Sequence, residues 1–422
     1  MNLKLFYKKI NKRFRELWEY KIFRFTIIIH FFYFILSIFL TLIFFRNQND
    51  FLVYYKVGEV FITDINNLYT AEYLWPFRYL PISATLFIPF YLLGFDIGFI
   101  TFNFINLLLN VLICMLIYKI IILVRREDHE REDKRIIFYI SLFLLGLPNL
   151  FNYILGQINL YITFLILVSL FLFLKYENIK WDFIASIILG LSVIIKPITI
   201  FMIPFLLSIL FKYQQRKFEF EFLRSIIRLV GVLLPLSLNL LFFIIFPNLW
   251  EGFISTNFTG EEPIILNHSF SLTKIITNFC IFYDISYNPL LILLIILFII
   301  GGSSFLIFIF RKINNNSIIF AYLFGIIIML LVYYDSWPHH LLVLTPILII
   351  LIFYIPKNSN ITKNYLKPSF FFFNFFDLGF MGIWFITKEW FPFNFMSTVF
   401  LLITFYSVSR ICLIKDSDYQ KN

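Results

Sequence analysis

Apolar runs, most of them close to the length of a membrane-crossing helix, recur along almost the whole chain and are separated by polar segments. This pattern is typical of transmembrane α-helices, because barrel strands would give short segments that alternate between apolar and polar residues. It predicts an all-α polytopic membrane protein with about 12 transmembrane helices. The predicted spans are 25–45, 97–124, 136–155, 159–175, 182–195, 198–212, 229–246, 290–310, 317–334, 341–355, 369–387 and 394–412.

Residues 80–95 are the ambiguous apolar segment. They are few for a span, and Pro81, Pro89 and Gly94 interrupt them. If they cross the membrane, the charged run 125–135 lies outside the cell. If they lie in the interface as part of the first external loop, that run lies inside.

The distribution of Lys and Arg decides between the two arrangements. With 80–95 in the interface, the predicted cytoplasmic segments hold 28 of the 35 Lys and Arg residues. The predicted external side then keeps only six, namely Arg46, Lys56, Arg78, Lys196, Lys274 and Lys388. This asymmetry follows the positive-inside rule, so the basic N-terminus 1–24 and the tail 413–422 are both predicted to be cytoplasmic.

Two predicted external loops are long, 46–96 and 247–289. Loops of this length are uncommon without a functional role, and their aromatic content suits helices that lie along the membrane interface. The other loops are short. The sequence therefore predicts a single integral membrane domain over 1–422.

Composition agrees with this class, since 60% of the residues are hydrophobic and 14% are charged. The formal charge of +10 could suggest a nucleic-acid partner, but the positive residues do not cluster on one soluble face, and the topology explains them. The cysteines Cys114, Cys280 and Cys412 have neither disulfide nor metal-site spacing. We predict no nucleic-acid partner, no metal site and no cofactor.

The candidate chemical groups gather on the predicted external side. In the first loop, Asp50 follows the first span closely, and Tyr54 and Tyr55 can lie on the same face of a helix as Asp50. A carboxylate in this position is alternatively only a solvated loop residue. The other external candidates are Arg78, Tyr79, Gln157, Asn159, Lys196, His268, His339 and His340.

The motifs around these residues occur in a characteristic order. After Asp50 and the tyrosines come Asn67-Leu68-Tyr69, Phe77-Arg78-Tyr79-Leu80-Pro81, Gly156-Gln157-Ile158-Asn159, Lys196-Pro197, Asn267-His268-Ser269-Phe270 and Ser336-Trp337-Pro338-His339-His340. The set resembles the membrane glycosyltransferases of the GT-C superfamily. It is most similar to family 87, whose members take a sugar, typically mannose, from a polyprenyl phosphate.

The resemblance implies a GT-C fold and an active site on the external face of the cell membrane. The donor would be a polyprenyl- or dolichyl-phosphate-linked sugar and the acceptor a glycolipid or cell-envelope glycan, with membrane lipids around both. A lipid phosphate is already a stable leaving group, so neither a nucleotide nor a metal is strictly required. Asp50 is the candidate general base, and direct displacement would invert the anomeric configuration.

The remaining candidates divide between the two substrates. Lys196, Arg78, His340 and His339 are expected at the donor phosphate, and Tyr54, Tyr55, Tyr79, Gln157, Asn159 and His268 at the sugar or acceptor. Simpler interpretations remain open for several of them. Lys196 could extend to the interface, Gln157 and Asn159 could cap helices, and the histidines could be an interfacial pair.

Three other functions are compatible with a polytopic protein. A transporter or flippase for lipid-linked sugars would need ionisable residues in the middle of several spans, whereas this chain keeps them at the span ends. A glycan polymerase or ligase that uses a diphosphate-linked substrate should offer more external arginines than Arg46 and Arg78. A membrane scaffold without activity would not explain so many motifs on one side.

Overall fold

A computed structural model describes residues 17–125, 133–208, 211–214, 217–258, 269–311, 316–387 and 395–414. These residues form a helical bundle with one short β-hairpin. The predicted N-terminal residues 1–16, most of the charged run 125–135, His268, Lys388 and the tail from 415 lie outside the described residues.

The elements follow one another with short connections. The α-helices are α1 Lys21–Ile43, α2 Asp50–Thr63, α3 Ile88–Leu92, α4 Phe95–Val124, α5 Asp133–Leu145, α6 Leu147–Leu155, α7 Asn159–Lys175, α8 Ile179–Ile195, α9 Ile203–Ser208, α10 Phe222–Ile245, α11 Pro247–Phe258, α12 Leu272–Phe282, α13 Pro289–Ile309, α14 Ser317–Val332, α15 Leu341–Tyr354, α16 Lys367–Phe371, α17 Asp377–Thr387 and α18 Met396–Leu413. Four 3₁₀ segments, Ile65–Asn67, Pro81–Phe87, Pro197–Met202 and Pro338–His340, and two π-helical turns, Thr362–Leu366 and Phe372–Phe376, lie between them. The strands are β1 Phe211–Gln214 and β2 Lys217–Phe220.

Among the described residues, six helices are long and apolar enough to cross a membrane. They are α1, α4, the α5–α6 pair, α10, α13 and α18. Other predicted spans coincide with shorter apolar helices, such as α7 and α14. The architecture fits a membrane protein, and the count of twelve spans remains a prediction.

The peripheral and central helices differ in what surrounds them. On α10 and α13, large apolar side chains face outward, and Ile244 is 74% and Phe298 is 81% exposed. In contrast, every residue of α14 and α15 is buried. Exposed apolar faces of this kind suit lipid, whereas helices that are apolar all round and fully enclosed form the centre of the bundle.

The predicted span 198–212 differs from the structure at its C-terminal end. The helical segment ends at Ser208, and β1 pairs antiparallel with β2, so that Phe211 lies opposite Phe220. The sequence from Phe211 to Phe220 alternates apolar and polar residues on both sides of Gln215-Arg216. That alternation is a strand signal, which the apolar character of the preceding residues concealed.

Helices α8 and α10 pack closely along one another. A Cβ atom on Gly190 would lie 2.5 Å from the carbonyl oxygen of Val232, so only glycine permits this approach. At one end of the pair, buried Asp182 accepts a 2.6 Å hydrogen bond from Arg224 Nε and a 3.1 Å bond from Arg228 Nη2. The ion pairs and the glycine contact hold the two helices together.

The ambiguous segment forms two short pieces of helix over Pro81–Leu92. At about 2.0 Å per 3₁₀ residue and 1.5 Å per α residue, its length is about 21 Å, short of the roughly 30 Å hydrocarbon core. The segment packs against α2 and α4. A Cβ atom on Gly58 would lie 2.8 Å from the Phe87 carbonyl oxygen, so the backbones of α2 and this segment approach each other closely.

A buried polar cluster ties α1 to the bundle. His30 Nε2 lies 2.8 Å from the Tyr153 hydroxyl and 2.9 Å from Asn110 Nδ2, and His30 Nδ1 lies 3.1 Å from the Leu144 carbonyl oxygen. These contacts join α1, α4, α5 and α6. Hydrogen bonds between helices add specificity in lipid, where hydrophobic burial alone does not favour one helix partner over another.

Candidate functional site

Asp50 is the first residue of α2, directly after the loop that follows α1. Asn49 caps the helix, since its side chain accepts a 3.0 Å hydrogen bond from the Leu52 N–H and donates to the carbonyl oxygens of Phe45 and Arg46. The cap fixes the direction in which α2 leaves the loop. Asp50 is partly exposed, while Asn49 is fully buried.

The turn between α6 and α7 brings Gln157 to Asp50. Gly156 ends α6 in the left-handed conformation at φ 64°, and a Cβ atom there would lie 2.6 Å from Phe51 Cβ. Only glycine combines this backbone with this closeness. Gln157 Nε2 then donates a hydrogen bond to Asp50 Oδ2 across 107 positions of sequence.

Two tyrosines extend this hydrogen-bond chain. The Tyr54 hydroxyl donates to Gln157 Oε1 at 3.2 Å, so the Tyr79 hydroxyl, 3.0 Å away, is the donor to Tyr54. Because Gln157 uses its amide nitrogen on Asp50 Oδ2, its carbonyl must face Tyr54. Asp50 Oδ1 has no partner among the described residues, so this oxygen is the one available to a substrate.

The surroundings of Asp50 favour a carboxylate of moderate basicity. Burial raises the pKa of Asp50 to about 6, while the Gln157 hydrogen bond and the positive charge of Lys196 act in the opposite direction. Such a group is mostly ionised at neutral pH and is more basic than a solvated aspartate. Burial also raises the pKa of Tyr54 far above its usual value, so Tyr54 remains a neutral hydrogen-bond donor.

Lys196 lies where α8 ends, and it points inward. Its side chain is only 6% exposed. Nζ donates to Asn159 Oδ1 at 2.9 Å and lies 2.7 Å from His340 Nε2, a residue 144 positions away. The Lys196 side chain therefore does not extend to the membrane interface. The Asn159 side chain accepts a hydrogen bond from Lys196 instead of capping a helix.

The contact between Lys196 and His340 restricts which of their nitrogen atoms can carry a proton. His340 Nδ1 accepts a 3.1 Å hydrogen bond from the Trp337 N–H, so the neutral ring carries its proton on Nε2, facing Lys196. Two donors cannot face each other across the 2.7 Å contact, so this bond forms with Lys196 as a neutral amine, whereas the protonated form of Lys196 is the one that lowers the pKa of Asp50. Burial lowers the pKa of Lys196 to about 7 against the opposing effect of Asp50, and burial together with Lys196 lowers the pKa of His340 well below its usual value.

Asn152 joins the two halves of the site. Its Nδ2 donates to the Gln157 carbonyl oxygen at 3.0 Å, and its Oδ1 accepts a 3.3 Å bond from Asn159 Nδ2. Gln157 leads to Asp50, and Asn159 leads to Lys196. One buried asparagine thus links the segment that holds the carboxylate to the segment that holds the lysine.

The family model for glycosyltransferase family 87 matches residues 77–333, more than half of the chain. The chain belongs to glycosyltransferase family 87. It is therefore a glycosyltransferase, as the motifs predicted, and its helical architecture is consistent with the GT-C superfamily. No curated protein matches the chain significantly.

The candidate site combines residues from inside and from outside the region that the family model matches. Tyr79, Gln157, Asn159 and Lys196 lie inside the matched residues, whereas Asp50 lies before them and His340 after them. The hydrogen bonds described above bring these outer residues to the matched ones. The carboxylate and the histidine are thus contributed by the parts of the chain that flank the matched region.

Other predicted site residues lie elsewhere in the structure. The ring of Tyr55 contacts Tyr91 and Phe95 at centroid distances of 5.3 and 5.6 Å, away from the chain of hydrogen bonds. His339 is buried, with its ring 4.5 Å from that of His340. Arg78 forms a 3.0 Å ion pair with Asp335. His268 lies outside the described residues.

Sequence reasoning missed Asn152 and the surroundings of Arg78. Asn152 sits inside a predicted span, where an isolated asparagine resembles ordinary helix packing, and no pattern connects it to Asp50 or Lys196. Arg78 also donates a 3.2 Å hydrogen bond to the Tyr333 hydroxyl. The predicted external position of Lys274 was a signal, since only six Lys and Arg residues are predicted on that side.

Proposed function

We propose that this glycosyltransferase transfers a hexose, with mannose as the first candidate, from a polyprenyl- or dolichyl-phosphate donor to a glycolipid or cell-envelope glycan. The observation that carries the proposal is the pairing of Asp50 with a buried lysine centre. The carboxylate has one free oxygen, and Lys196 is held close enough to alter its pKa. A base and a phosphate-binding cation are the two groups that this reaction requires.

Asp50 acts as the general base. As the acceptor hydroxyl attacks the anomeric carbon, its proton passes to Asp50 Oδ1 and a new C–O bond forms. The bond from the anomeric carbon to the phosphate oxygen breaks, and its electron pair leaves with the lipid phosphate. Attack and departure occur on opposite faces of the carbon, so the anomeric configuration inverts.

Lys196 and His340 stabilise the departing phosphate. In the free site Lys196 is neutral where it accepts from His340, and an arriving phosphate favours its protonated form. The resulting ammonium and the His340 Nε2–H both donate to phosphate oxygens, with Asn159 holding the lysine. Charge-assisted bonds of this kind replace the metal ion or nucleotide on which other transferases depend.

The position of these residues supports a lipid-linked donor. Asp50 follows the membrane-length helix α1 by seven residues, Lys196 directly follows α8, and His340 directly precedes α15. Each group thus lies at the end of an apolar helix, where a lipid phosphate would meet it. We propose that this boundary is the external one, with about 12 spans and cytoplasmic termini, as the positive-inside rule favours.

The reaction is tested with purified full-length protein, a panel of polyprenyl-phosphate hexoses and a membrane lipid extract. Mass analysis should detect one sugar added to an extracted lipid or glycan, with the anomeric configuration inverted and with no loss of product after chelator treatment. Transfer from a nucleotide sugar but from none of the lipid phosphates would overturn the proposed donor. Retained configuration would overturn direct displacement.

The orientation has its own test by cysteine labelling in whole cells. Lys56 and Lys180 are exposed, whereas the native cysteines are buried. Lys56→Cys should react with an impermeant reagent from outside, and Lys180→Cys only after permeabilisation. The reverse labelling pattern would place the site on the cytoplasmic face.

A further inference from the structure

Lys274 is a second buried lysine, and it lies at the start of a helix. It lies in the first turn of α12, where its N–H donates to the Ser271 hydroxyl at 3.0 Å. The residue is only 2% exposed. Among the described residues, no acceptor lies within hydrogen-bond distance of its Nζ. Burying an ammonium in this way is unfavourable unless something else satisfies it.

The backbone enforces this burial. The segment before α12 is joined to the segment after α14 by several hydrogen bonds. Thr273 donates to the Val332 carbonyl oxygen and Ser269 to that of Tyr334, both at 2.7 Å, while the Phe270 N–H donates to the Ser336 carbonyl oxygen at 3.0 Å. These bonds hold Lys274 beside residues 332–336.

Two charged groups share this location. Arg78 Nη1 lies 3.0 Å from Asp335 Oδ2, and both are partly exposed. Burial lowers the pKa of Lys274 to about 8, Asp335 opposes that effect, and Arg78 adds to it. Two cationic side chains thus lie near the carboxylate of Asp335 at a partly open location.

The residues that connect Arg78 to Asp50 differ from those that contact Lys196. Tyr79 is the neighbour of Arg78 in sequence, and its hydroxyl bonds to Tyr54, which bonds to Gln157. Both Asp50 and Arg78 act on the pKa of Tyr79, which burial raises. Lys196 is instead connected through Asn159 and His340. The segments that carry the two cationic centres are therefore connected to Asp50 through different residues.

We propose that Lys274 and Arg78 form a second anion-binding subsite, which holds a phosphoryl group of the acceptor. This inference rests on the proposed function, in which Lys196 and His340 already hold the single phosphate of the donor. Displacement with inversion requires the acceptor to approach the anomeric carbon from the face opposite to the leaving phosphate. A second cationic centre on a separate route to Asp50 suits an acceptor that carries its own negative charge.

Binding measurements test the subsite without requiring turnover. Purified full-length protein is first saturated with polyprenyl phosphate and then titrated with short-chain phosphatidic acid, with short-chain diacylglycerol as the uncharged match. Wild type should bind the phosphatidic acid and not the diacylglycerol. Lys274→Met should bind phosphatidic acid at least about ten-fold more weakly and polyprenyl phosphate as wild type does, since one charge-assisted hydrogen bond is lost.

Matched variants separate charge from folding. Lys56→Met removes an exposed lysine and should leave both affinities unchanged, and Lys274→Arg should retain most of the phosphatidic acid affinity. If Lys274→Met has a lowered melting temperature, the Lys274→Arg and Arg78→Gln variants decide, because only loss of positive charge should weaken binding.

Three results would overturn the proposal. They are equal phosphatidic acid affinity in Lys274→Met, absence of phosphatidic acid binding in wild type, and loss of polyprenyl phosphate affinity in Lys274→Met, which would assign Lys274 to the donor. Failure of the reaction itself is a different result. It would leave these affinities unchanged and would appear only as an absence of product in the transfer assay.

Discussion

Lys196 and Lys274 are both buried at helix ends, yet they are stabilised in different ways. Lys196 has two neutral partners, Asn159 and His340, and burial lowers its pKa to about 7. The Nζ of Lys274 has no hydrogen-bond partner among the described residues, and burial lowers the pKa of Lys274 to about 8 while the carboxylate of Asp335 opposes that effect. A carboxylate opposes the effect of burial at both lysines, Asp50 at Lys196 and Asp335 at Lys274, so the clear difference between them is the set of groups that contact Nζ.

The comparison suggests different tasks for the two lysines. Lys196 can bind a phosphate and take up a proton at the same step, which suits a group that meets a leaving phosphate. Lys274 lies beside the segment that carries the partly exposed Arg78–Asp335 ion pair, which suits an anchor for a charged group. Asp50 acts on the pKa of Lys196 directly, and hydrogen bonds through Gln157, Tyr54 and Tyr79 connect it to the segment that carries Arg78.

The largest expected effect comes from removing the carboxylate of Asp50. Asp50→Asn should lower kcat by about 10²–10⁴-fold, since an amide cannot accept the acceptor proton. Donor affinity, measured as binding of polyprenyl phosphate, should change little. Asp96→Asn, which alters a carboxylate that is about half exposed and paired with Arg46, is the matched control and should transfer sugar normally. Full activity in Asp50→Asn would exclude it as the base.

Removing the amine of Lys196 should have the next largest effect. Lys196→Met should weaken polyprenyl phosphate binding by about ten-fold or more, because a charge-assisted contact is lost. Binding of short-chain phosphatidic acid at the second subsite should remain. Lys180→Met changes an exposed lysine at the opposite end of α8 and serves as the control. An unchanged donor affinity in Lys196→Met would assign the lysine a purely structural role.

The pH dependence of kcat/KM tests the proton uptake that we propose for Lys196. In wild type, kcat/KM should rise as pH passes the pKa of Asp50 near 6, because the base must be ionised. It should fall as pH passes the pKa of Lys196 near 7, because phosphate binding requires the ammonium. The two limbs belong to the coupled pair and describe it jointly. A profile without a falling limb below pH 9 would contradict the proposed role of Lys196.

Gln157→Leu should move only the acidic limb. The Gln157 hydrogen bond lowers the pKa of Asp50, so its loss should shift the acidic limb to higher pH. At pH 6.5 the rate should fall by roughly five-fold, the typical effect of one hydrogen bond. Initial rates across the pH range, compared with those of wild type, measure the shift. A uniform loss of rate at every pH would indicate misplacement of α2 instead.

The smallest effect is expected for a substitution of Asp335, the carboxylate that raises the pKa of Lys274. Asp335 holds the pKa of Lys274 up, so Asp335→Asn should weaken phosphatidic acid binding at pH 8 more than at pH 6. The change should be no more than about five-fold, as for other partly exposed ion pairs. Polyprenyl phosphate affinity should be unaffected, and a parallel loss of both would mean that the two centres are not separate.

Much of the helical framework was predictable from the sequence. The predicted span 159–175 coincides with α7, and 317–334 differs from α14 only at its end. Apolar runs predict helices well in this class, because each helix satisfies its own backbone. Breaks within the runs were less visible, as at Gly146 between α5 and α6 and in the π-helical turns Thr362–Leu366 and Phe372–Phe376, which depend on neighbouring packing.

The candidate site was only partly predictable. The motifs named Asp50, Gln157, Lys196 and His340, and all four lie in the connected site that the structure describes. Tyr54 and Tyr55 looked equivalent in sequence, but only Tyr54 faces Gln157, because adjacent residues of a helix point about 100° apart. The role of Asn152 had no local signal at all.

The sequence by itself determined the class of this protein, its approximate helix positions and its family, because hydrophobic length and motif order are properties of local chain segments. Only the tertiary structure decided which polar groups meet. Asp50 meets Gln157 across 107 positions and Lys196 meets His340 across 144. Such contacts depend on how whole helices pack, and the protonation state of each lysine depends on those contacts. The difference between the two lysines therefore belongs to the fold and cannot be read from either residue's neighbours in the chain.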